Sequence, residues 1–546
     1  MVFNSLEFLF FFLTVYAAYR LLPFRSQNLL LLAASYVFYG WWDIQLLYLI
    51  LLTTSVDFSC ALLIGRGQMT RSERLTPSLA LIGAAFFAGT VNWQAVSWQS
   101  FSVDWPNLLP GNWTSWLLLG GTFIAVAIAN LLYPRLVEAP VERRKKLLLL
   151  LSIITNLGIL CIFKYFNFFA GSAEAVLNAA GFSLPALSLN LLLPIGISFY
   201  TFETMSYTID VFKGRMQPTH QFSVFALFLA FFPRLVAGPI VRSIDLIPQF
   251  SQPRHLRFDQ SMRGLYLIMF GLFKKVAIAD GLAGSVNAIY NSSGAVSWLD
   301  VVVATLLFTF QIYCDFSGYS DIARGVSKFF GIELTVNFNL PYFSKSPSEF
   351  WRRWHISLSS WLRDYLYISL GGNRQGNLRT YQNLMLTMAL GGLWHGAAWN
   401  YVIWGIYQGG LLCIYRLLNL QTTENPAERS QFKRGAGVSL TLLFFILTCY
   451  GWLLFRANSL AQITSFTQIL VTDIGNLSLS MPKPTLPALF GLPLLIFYEF
   501  LEFQAQSAHF YYRYSALIRG VLYAIFTLLI TMGTSNAPAQ FIYFQF

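Results

Sequence analysis

The stretch SPSEFWRRWHISLSSWLRDYLYISLGGNR, from Ser346 to Arg374, is apolar enough to enter a membrane. Between positions 349 and 364 it nevertheless carries six ionisable residues, which are Glu349, Arg352, Arg353, His355, Arg363 and Asp364. Ionisable groups are costly in lipid, so within a membrane bundle they face an internal cavity and carry function. The stretch therefore predicts either a helix lying in the membrane interface or a helix that lines an internal, water-accessible funnel.

Residue spacing in this stretch predicts two faces. Trp354, Trp361 and Tyr365 stand at i, i+7 and i+11, which indicates an aromatic stripe along one helix between Phe350 and Leu370. Three polar residues at i, i+3 and i+7 would share another face of the same helix: Arg352, His355 and Ser359. A helix of this length would cross about 30 Å, and the glycines at 371 and 372 would end it.

Composition decides the class of protein. Of the 546 residues, 56% are hydrophobic and 11% are charged, and the mean hydropathy is +0.55. Soluble domains carry about 25% charged residues, so this chain has too few charges to cover a water-facing surface. Apolar segments near the length of a membrane span, about 20 residues, recur along the sequence. We expect an all-α polytopic membrane protein with about 11 to 14 transmembrane helices and a single membrane-embedded domain over residues 1–546.

The charge balance favours cationic groups. The chain has 36 Lys and Arg against 24 Asp and Glu, a net charge of +12. This excess fits a topology signal, because Lys and Arg accumulate in cytoplasmic loops; attraction of an anionic substrate or anionic lipid headgroups is the sharper alternative. The basic groups at 66–74, at 141–146 and at Lys274-Lys275 predict cytoplasmic loops. The sequence gives no support for nucleic-acid binding, because it contains no soluble basic domain and its aromatic residues lie in apolar segments.

Several kinds of chemistry find no support in the sequence. The five cysteines lie far apart in apolar runs, which fits neither a disulfide framework nor a zinc site, and we predict no metal. Nucleophile-elbow, phosphate-loop and zincin motifs are not found. The first apolar segment lacks a basic region and a cleavage signature, so we expect a retained membrane helix. Three histidines beside polar or basic sequence are expected at a surface or interface: His220, His255 and His509.

Two polar segments interrupt the apolar pattern before residue 250. In PIGISFYTFETMSYTIDVFKGR, residues 194–215, polar side chains recur every three or four positions and share one helical face, namely Glu203, Ser206, Tyr207 and Asp210. Such a face either lines a site or supplies hydrogen bonds between helices. In 230–242 the prolines at 233 and 239 predict a broken helix. Arg234 beside the break would attract an anion or extend to the interface.

A third polar segment, QIYCDFSGYSDIARGVSKFFG at 311–331, holds two carboxylates. Asp315 and Asp321 stand six residues apart, which does not place them on one helical face, so we expect each to hold a donor from a neighbour. Between them lie Ser317, Tyr319 and Gly318, and the glycine permits close helix packing.

His395 lies in GGLWHGAAWNYVIWG, residues 391–405, which contains no charged residue. A lone histidine in an apolar helix is usually a structural, hydrogen-bonded residue. Here glycines at 391, 392 and 396 would let a substrate or another backbone approach closely. Burial would keep the imidazole neutral, and a neutral imidazole can act as a general base.

These segments together resemble the membrane-bound O-acyltransferase family, in particular the bacterial branch that includes the membrane subunit of alginate O-acetyltransferase. The resemblance rests on 350–374, 391–405, on YCDFSGYSDIARG at 313–325, on PIGISFYTFETMSY at 194–207 and on FIYFQF at 541–546. It is similar, more distantly, to the D-alanyl transferase of teichoic acid modification. The region 66–140 departs from the family pattern and predicts an insertion of one or two helices, ahead of a core at 146–420.

The resemblance implies a helical bundle around a central funnel, with re-entrant or interfacial helices. It implies His355 and His395 as catalytic residues that share this funnel. Candidate substrate-binding residues are Trp351, Arg352, Arg353, Trp354, Ser359, Arg363, Asp364, Asn373, Trp394, Asn400, Asp315, Ser317, Tyr319 and Glu203. For each of the three arginines there are two alternatives, a structural role and contact with the donor's phosphates.

As a member of this family the protein would be an enzyme of the bacterial inner membrane. It would move an acetyl or other short acyl group from cytoplasmic acetyl-CoA (acyl-CoA), with no bound cofactor, to a polysaccharide acceptor, aided by an extracytoplasmic acetyltransferase subunit and surrounded by membrane lipid. Two alternatives stay open from the residues alone. One is a transporter or flippase for a lipid-linked sugar or acyl carrier, and the other is a scaffold whose histidines are structural.

Overall fold

Helices make up nearly all of the regular secondary structure in the described residues. The computed structural model describes residues 1–97, 102–109, 113–182, 187–236, 238–419, 432–508, 510–534 and 541–542. Across these residues the sole sheet is an antiparallel pair of two-residue strands, Val96–Ser97 and Ser102–Val103, with Val96 opposite Val103. This confirms the all-α membrane class.

The α-helices are α1 (Leu6–Leu21), α2 (Phe24–Gly40), α3 (Leu46–Gly65), α4 (Arg71–Phe87), α5 (Trp113–Glu138), α6 (Val141–Leu160), α7 (Phe166–Ala179), α8 (Ile197–Phe212), α9 (Phe222–Ala230), α10 (Phe232–Leu235), α11 (Ser243–Ser251), α12 (Phe258–Leu272), α13 (Asp280–Tyr290), α14 (Trp298–Phe329), α15 (Pro347–Arg353), α16 (Ile356–Trp361), α17 (Gly376–His395), α18 (Trp399–Leu417), α19 (Phe432–Arg456), α20 (Leu460–Thr472), α21 (Leu486–Ala505) and α22 (Ala516–Gly533). Three π-helical segments continue preceding helices, at Cys161–Tyr165, Phe273–Ala279 and Leu362–Tyr367. Short 3₁₀ turns lie at Trp93–Ala95, Trp105–Asn107, Pro341–Phe343 and Phe510–Arg513.

Seven helical segments of the described chain are long and apolar enough to cross a membrane. They are Leu46–Gly65, Trp113–Glu138, Val141–Ala179, Trp298–Phe329, Gly437–Arg456, Leu486–Ala505 and Ala516–Gly533. The larger predicted count of 11 to 14 includes shorter apolar helices such as α1 and α8, of 16 residues each, and stays a prediction.

The chain forms two compact units. The first comprises Met1–Val236, Ile240–Arg257 and Phe329–Glu333, and the second mainly Phe258–Lys328 and Leu334–Phe546. The predicted single domain with its core at 146–420 stays a prediction. Helices α4 and α5 lie within 66–140, and the predicted insertion there stays a prediction.

A buried carboxylate joins three helices of the first unit. Asp57 on α3 accepts hydrogen bonds from Ser152 and Asn156 on α6 and, at 2.7 Å, from Thr208 on α8. All of these side chains are buried. Three donors replace the water that a carboxylate loses on burial, so the network fixes how α3, α6 and α8 pack.

In the second unit, α12 and its π-helical continuation run antiparallel to α14 at close range. A Cβ on Gly318 would lie 2.7 Å from the carbonyl oxygen of Gly271, and a Cβ on Gly325 would lie 2.6 Å from that of Gly264. Small residues allow such contact between membrane helices, as the sequence predicted for Gly318.

The prediction that Lys274-Lys275 marks a cytoplasmic loop is wrong. Both lysines are buried in the π-helical segment. Lys274 pairs with Asp321 at 2.5 Å, and Lys275 pairs with Asp280 and Asp315 at 2.7 Å each. Acidic partners from α13 and α14 make the lysines internal ion pairs, which local Lys and Arg counts cannot distinguish from a loop signal. The predicted role of Asp315 and Asp321 as holders of a neighbour's donor is confirmed.

The single helix predicted from Phe350 to Leu370 is also wrong. Helix α15 ends at Arg353, and α16 begins at Ile356, with His355 between them in the left-handed conformation at φ +42°. The two helical stripes predicted across this point therefore do not exist as continuous faces. Long-range bonds to another segment cause the break, as described below.

Substituting Gly318 by valine should destabilise the second unit, because the added atoms meet the backbone of Gly271 and overpacking costs about 1–3 kcal/mol. Thermal unfolding of the purified protein in detergent measures the effect. Gly284→Ala serves as the control, since a Cβ there meets nothing within 4 Å. Equal midpoints for the two variants would contradict the close packing of α12 and α14.

Candidate functional site

His355 is held in its unusual backbone conformation by an extended segment of the second unit. The backbone N–H of Ile356 donates to the carbonyl of Asn337 at 2.9 Å, and the N–H of Asn339 donates to the carbonyl of Arg353 at 2.9 Å. These bonds bracket His355 on both sides. A non-glycine residue in the left-handed region costs about 1–3 kcal/mol and persists where its surroundings impose it, often at functional sites.

The side chain of Asn337 determines which ring nitrogen of His355 carries the proton. Its Oδ1 atom accepts from the backbone N–H of Ser357 at 3.2 Å and lies 3.2 Å from His355 Nδ1. A backbone N–H can only donate, so this atom is the acceptor and Nδ1 of His355 is the donor. A neutral His355 therefore carries its proton on Nδ1 and its basic lone pair on Nε2.

His395 is the last residue of α17 and is brought close to His355. The two imidazole ring centres lie 6.4 Å apart. His395 is 5% exposed and His355 is fully buried. The site residues that the sequence placed 40 positions apart thus face one another within one compact unit.

Gly392, close to His395, admits a neighbouring backbone, as one of the two alternatives from the sequence predicted. A Cβ on Gly392 would strike the carbonyl oxygen of Tyr401, and one on Gly396 would strike the Tyr401 ring. Helix α18 therefore packs directly against the end of α17, and this contact sets the position of His395.

Aromatic rings enclose the pair of histidines. Phe316 lies edge-on to His355 at 4.6 Å between ring centres, and Trp394 lies 6.0 Å from it. Trp404 and Phe455 flank His395 at 5.2 and 5.5 Å. The enclosure removes water from both imidazoles.

Burial, together with the neighbouring His395, lowers the pKa of His355 well below its ordinary value. His355 lies between α15 and α16, outside the seven candidate spans. Its imidazole is consequently neutral at physiological pH and able to accept a proton.

The predicted tryptophans extend this aromatic cluster. Trp354 packs against Trp452 at 4.7 Å and against Phe338 at 5.0 Å, and Trp351 lies 5.8 Å from Trp404. These side chains form the wall behind the histidines.

Other predicted binding residues have structural partners. Asn400 donates to the carbonyls of Phe455 and Ala457, at 3.2 and 3.0 Å, and so holds the end of α19. Ser359 donates to the carbonyl of Trp354 at 3.0 Å.

Two of the three predicted arginines form ion pairs, and of these two Arg363 is also exposed. Arg353 pairs with Glu349 at 3.0 Å, and Arg363 pairs with Asp364 at 2.6 Å. Arg352 and Asn373 are exposed. The structural reading of Arg353 and Arg363 is thereby favoured, whereas Arg352 is open to a ligand.

Three predicted binding residues lie on α14, the helix whose Phe316 contacts His355. Asp315 accepts from the backbone of Ile542 at 2.7 Å besides its bond to Lys275. Tyr319 is buried with its ring 4.7 Å from that of Phe541, and Ser317 is buried on the same helix. Residues 543–546 of the FIYFQF motif lie outside the described residues.

Glu203 belongs to the first unit, where it has a structural partner. It pairs with Arg234, and it accepts from the backbone N–H of Val241 at 3.1 Å. The helix is interrupted between α9 and α10, as the prolines predicted. Arg234 neither extends to an interface nor stays open to an anion, because its side chain is 1% exposed and paired. The hydrogen-bonding alternative for Glu203 is thus the one that the contacts favour.

Sequence reasoning missed four residues around the histidines: Phe316, Asn337, Trp404 and Phe455. Asn337 alone left a usable signal, since it stands in the polar, proline-bounded stretch TVNFNLPYF just before α15. The predicted surface position of His220 and His255 is confirmed, and His509 lies outside the described residues. Of the five cysteines, Cys60 and Cys314 are buried as expected, whereas Cys161 is exposed.

Comparison with known proteins gives a clear family relationship. The model of the membrane-bound O-acyltransferase family matches residues 214–455. The chain is 37% identical over 516 residues to the probable alginate O-acetylase AlgI of Azotobacter vinelandii, covering 93% of this chain and 86% of that protein. The chain belongs to the membrane-bound O-acyltransferase family.

Two further relatives agree with this assignment. The probable alginate O-acetylase AlgI of Pseudomonas putida is 39% identical over 464 residues, covering 84% of this chain and 78% of that protein. The peptidoglycan O-acetyltransferase of Helicobacter pylori is 36% identical over 342 residues, covering 58% of this chain and 63% of that protein. The protein is thus a membrane O-acyltransferase, and the family match includes Asn337, His355 and His395.

Replacing Arg234 by methionine should destabilise the first unit by about 3–5 kcal/mol, because it leaves the buried carboxylate of Glu203 uncompensated. Adding Glu203→Gln to that variant should recover much of the loss. Thermal unfolding in detergent measures both variants. If Arg234→Met unfolds at the temperature of the unmodified protein, the pair does not hold the break between α9 and α10.

Proposed function

We propose that this membrane O-acyltransferase moves an acetyl or similarly short acyl group from cytoplasmic acyl-CoA toward a hydroxyl of an extracytoplasmic polysaccharide. The observation that carries the proposal is the facing pair of His355 and His395, 6.4 Å apart between ring centres inside an aromatic enclosure. The names of the relatives support a cell-surface polymer as acceptor. Their acceptors differ, so the particular polymer is left open.

The two imidazoles divide the proton chemistry. His395 acts as general base and takes the proton from the attacking hydroxyl, while that oxygen forms a bond to the thioester carbonyl carbon. The carbon–sulfur bond then breaks, and the departing thiolate receives the proton that His395 took from the hydroxyl. His355 assists by passing a proton through Nε2 or by positioning the thioester, because Asn337 holds its other nitrogen.

A partner extends the transfer across the membrane. The acceptor hydroxyl at this site belongs either to the polysaccharide or to a serine of an extracytoplasmic acetyltransferase subunit. The seven candidate spans support a multi-pass protein, and the bacterial relatives support the bacterial inner membrane as its location. Thioester consumption separates this reaction from transport, because a flippase releases no CoA thiol.

His395→Ala should abolish acyl transfer while the protein stays folded, since the general base supplies about 10²–10⁴-fold of rate. Release of CoA thiol from acetyl-CoA and mass spectrometry of the surface glycan measure the effect. The rate of acyl transfer should also fall by at least about 10²-fold in His355→Ala. His255→Ala, at an exposed histidine, is the matched control and should be fully active. Normal glycan acetylation in His395→Ala would refute the catalytic role.

Asn337→Asp tests whether Asn337 positions His355. A carboxylate still accepts from Nδ1, but its charge favours the imidazolium and raises the pKa of His355. Because the reaction needs a neutral imidazole, the acid limb of the pH–rate profile should move to higher pH. Asn337→Ala should instead lower the rate without that shift. An unchanged profile in a folded Asn337→Asp protein would mean that His355 does not exchange the proton.

A further inference from the structure

A cavity of about 510 Å³ lies between four helices of the first unit. Its walls come from α3, α4, α5 and α6, and three of these helices belong to the candidate membrane spans. The volume falls in the range of small-molecule sites, about 300–1,000 Å³. Much of the lining is aliphatic, for example Leu52, Val56, Leu81, Leu136 and Leu148. The cavity is therefore suited to an apolar ligand.

The serines and the asparagine that line the cavity already have partners in the protein. They donate to backbone carbonyls at 2.8–3.2 Å, and they are Ser55, Ser59, Ser78 and Asn130. A polar group that has made its hydrogen bond gains little from a polar ligand. Arg74 also lines the cavity, and within the described chain no other charged side chain does. The lining thus combines a long apolar wall with one cationic group.

The length of the cavity matches one leaflet of a bilayer. Its lining on α3 runs from Leu52 to Leu63, eleven residue steps that correspond to about 16 Å at a rise of about 1.5 Å per residue. The lining on α5 runs over the same number of steps, from Ala125 to Leu136. Half of a hydrocarbon core of about 30 Å is about 15 Å. An acyl chain that reaches from the headgroups to the middle of the membrane has this length.

The cavity opens sideways to the surroundings of the bundle. Ile128 and Leu132 on α5 and Leu151 on α6 line it, and they are 50%, 43% and 49% exposed. Leu63 and Leu148, at the floor of the cavity, are 5% and 3% exposed. In a membrane the exposed rim faces lipid, so a ligand enters from the bilayer and not from water.

Arg74 stacks on a tyrosine at the end of the cavity. Its guanidinium carbon lies 4.3 Å from the ring centre of Tyr133. The Tyr133 hydroxyl donates to the carbonyl of Met69 and accepts from its N–H, at 2.9 Å each, which fixes the ring. The Nε atom of Arg74 is buried and has no hydrogen-bond partner among the residues that the structure describes. The adjacent carboxylate, Glu73, pairs with Arg66 at 2.9 Å. Such a guanidinium favours an anionic oxygen as its ligand.

The end of the helices at Arg74 is strongly basic. Residues 66–70 join α3 to α4, residues 139–140 join α5 to α6, and the Arg74–Tyr133 contact brings the two pairs together. The segments 66–74 and 135–146 hold eight Lys and Arg against three Asp and Glu. The opposite ends, 41–46 and 88–112, hold two Asp and neither Lys nor Arg. Basic residues accumulate on the cytoplasmic side, where they attract anionic lipid.

We propose that this cavity binds one acyl chain of an anionic glycerophospholipid of the cytoplasmic leaflet, with the lipid phosphate on Arg74. The inference concerns the first unit alone and does not depend on the proposed function. A soluble anion would match Arg74 but would leave the apolar space, one leaflet deep, unfilled. The bound chain fills the space between α3, α4, α5 and α6, and it stabilises the folded state because it binds that state alone.

Native mass spectrometry of the full-length protein tests the headgroup contact. The protein in detergent is titrated with phosphatidylglycerol or with phosphatidylcholine of the same acyl chains. One phosphatidylglycerol should bind at least about tenfold more tightly than phosphatidylcholine, because its headgroup keeps a net negative charge. Arg74→Gln should lose this preference, and Arg74→Lys should keep part of it. Arg71→Gln is the matched control, since Arg71 lies in the same turn of α4, is exposed and does not line the cavity. Equal losses in the two glutamine variants would assign the preference to overall surface charge and overturn the proposal.

A second pair of variants tests the acyl-chain cavity without a change of charge. Ala129→Phe places a ring in the cavity and should weaken phosphatidylglycerol binding at least about tenfold. Ala127→Phe, at an exposed position of the same helix outside the lining, should bind like the unmodified protein. Added phosphatidylglycerol should raise the thermal unfolding midpoint of the unmodified protein and of Ala127→Phe, but not that of Ala129→Phe.

Two results would overturn the proposal whatever the arginine variants show. One is full phosphatidylglycerol binding by folded Ala129→Phe, and the other is equal binding of the two lipids by the unmodified protein, which would mean ordinary boundary lipid. If Arg74→Gln does not fold, the lipid preference of the unmodified protein and the alanine pair decide the question.

Discussion

The clamp on His355 is the constraint on which the site depends. Two backbone hydrogen bonds join the extended segment around Asn337 to the residues on either side of His355. They end one helix, start the next and hold the residue between them at φ +42°. The same segment then orients the imidazole through the Asn337 side chain. The backbone conformation and the tautomer of His355 are thus both set by this one segment. With only one of the two fixed, the ring would be poorly placed for proton transfer.

Charge burial follows a common rule in both units. A charge removed from water needs a partner or several donors, since a lone one costs several kcal/mol. In the first unit Asp57 has three donors and Glu203 has Arg234. In the second unit Lys274 and Lys275 have aspartates from neighbouring helices. These polar contacts fix helix positions in surroundings where apolar packing against lipid gives little specificity.

Much of the fold and part of the site could be predicted. Low charge and long apolar segments require a membrane bundle, and the glycine at 392 correctly indicated a close backbone approach beside His395. The helix at 350–370 and the loop at Lys274-Lys275 were wrong for a shared reason. In each case the local structure is set by residues elsewhere in the sequence. These are Asn337–Asn339 for the helix break, and Asp280, Asp315 and Asp321 for the buried lysines. Local periodicity and local charge counts carry no information about such partners.

The sequence by itself determined the membrane class, the family and the two histidines, because hydropathy and residue identity are properties of the chain. Only the tertiary structure decided that the imidazoles face each other, that Asn337 sets the proton on one of them, and that most predicted polar residues bind protein groups. The physical reason is that a hydrogen bond or a ring contact depends on distance and direction in space. In this bundle those are set by helices brought together from distant parts of the sequence.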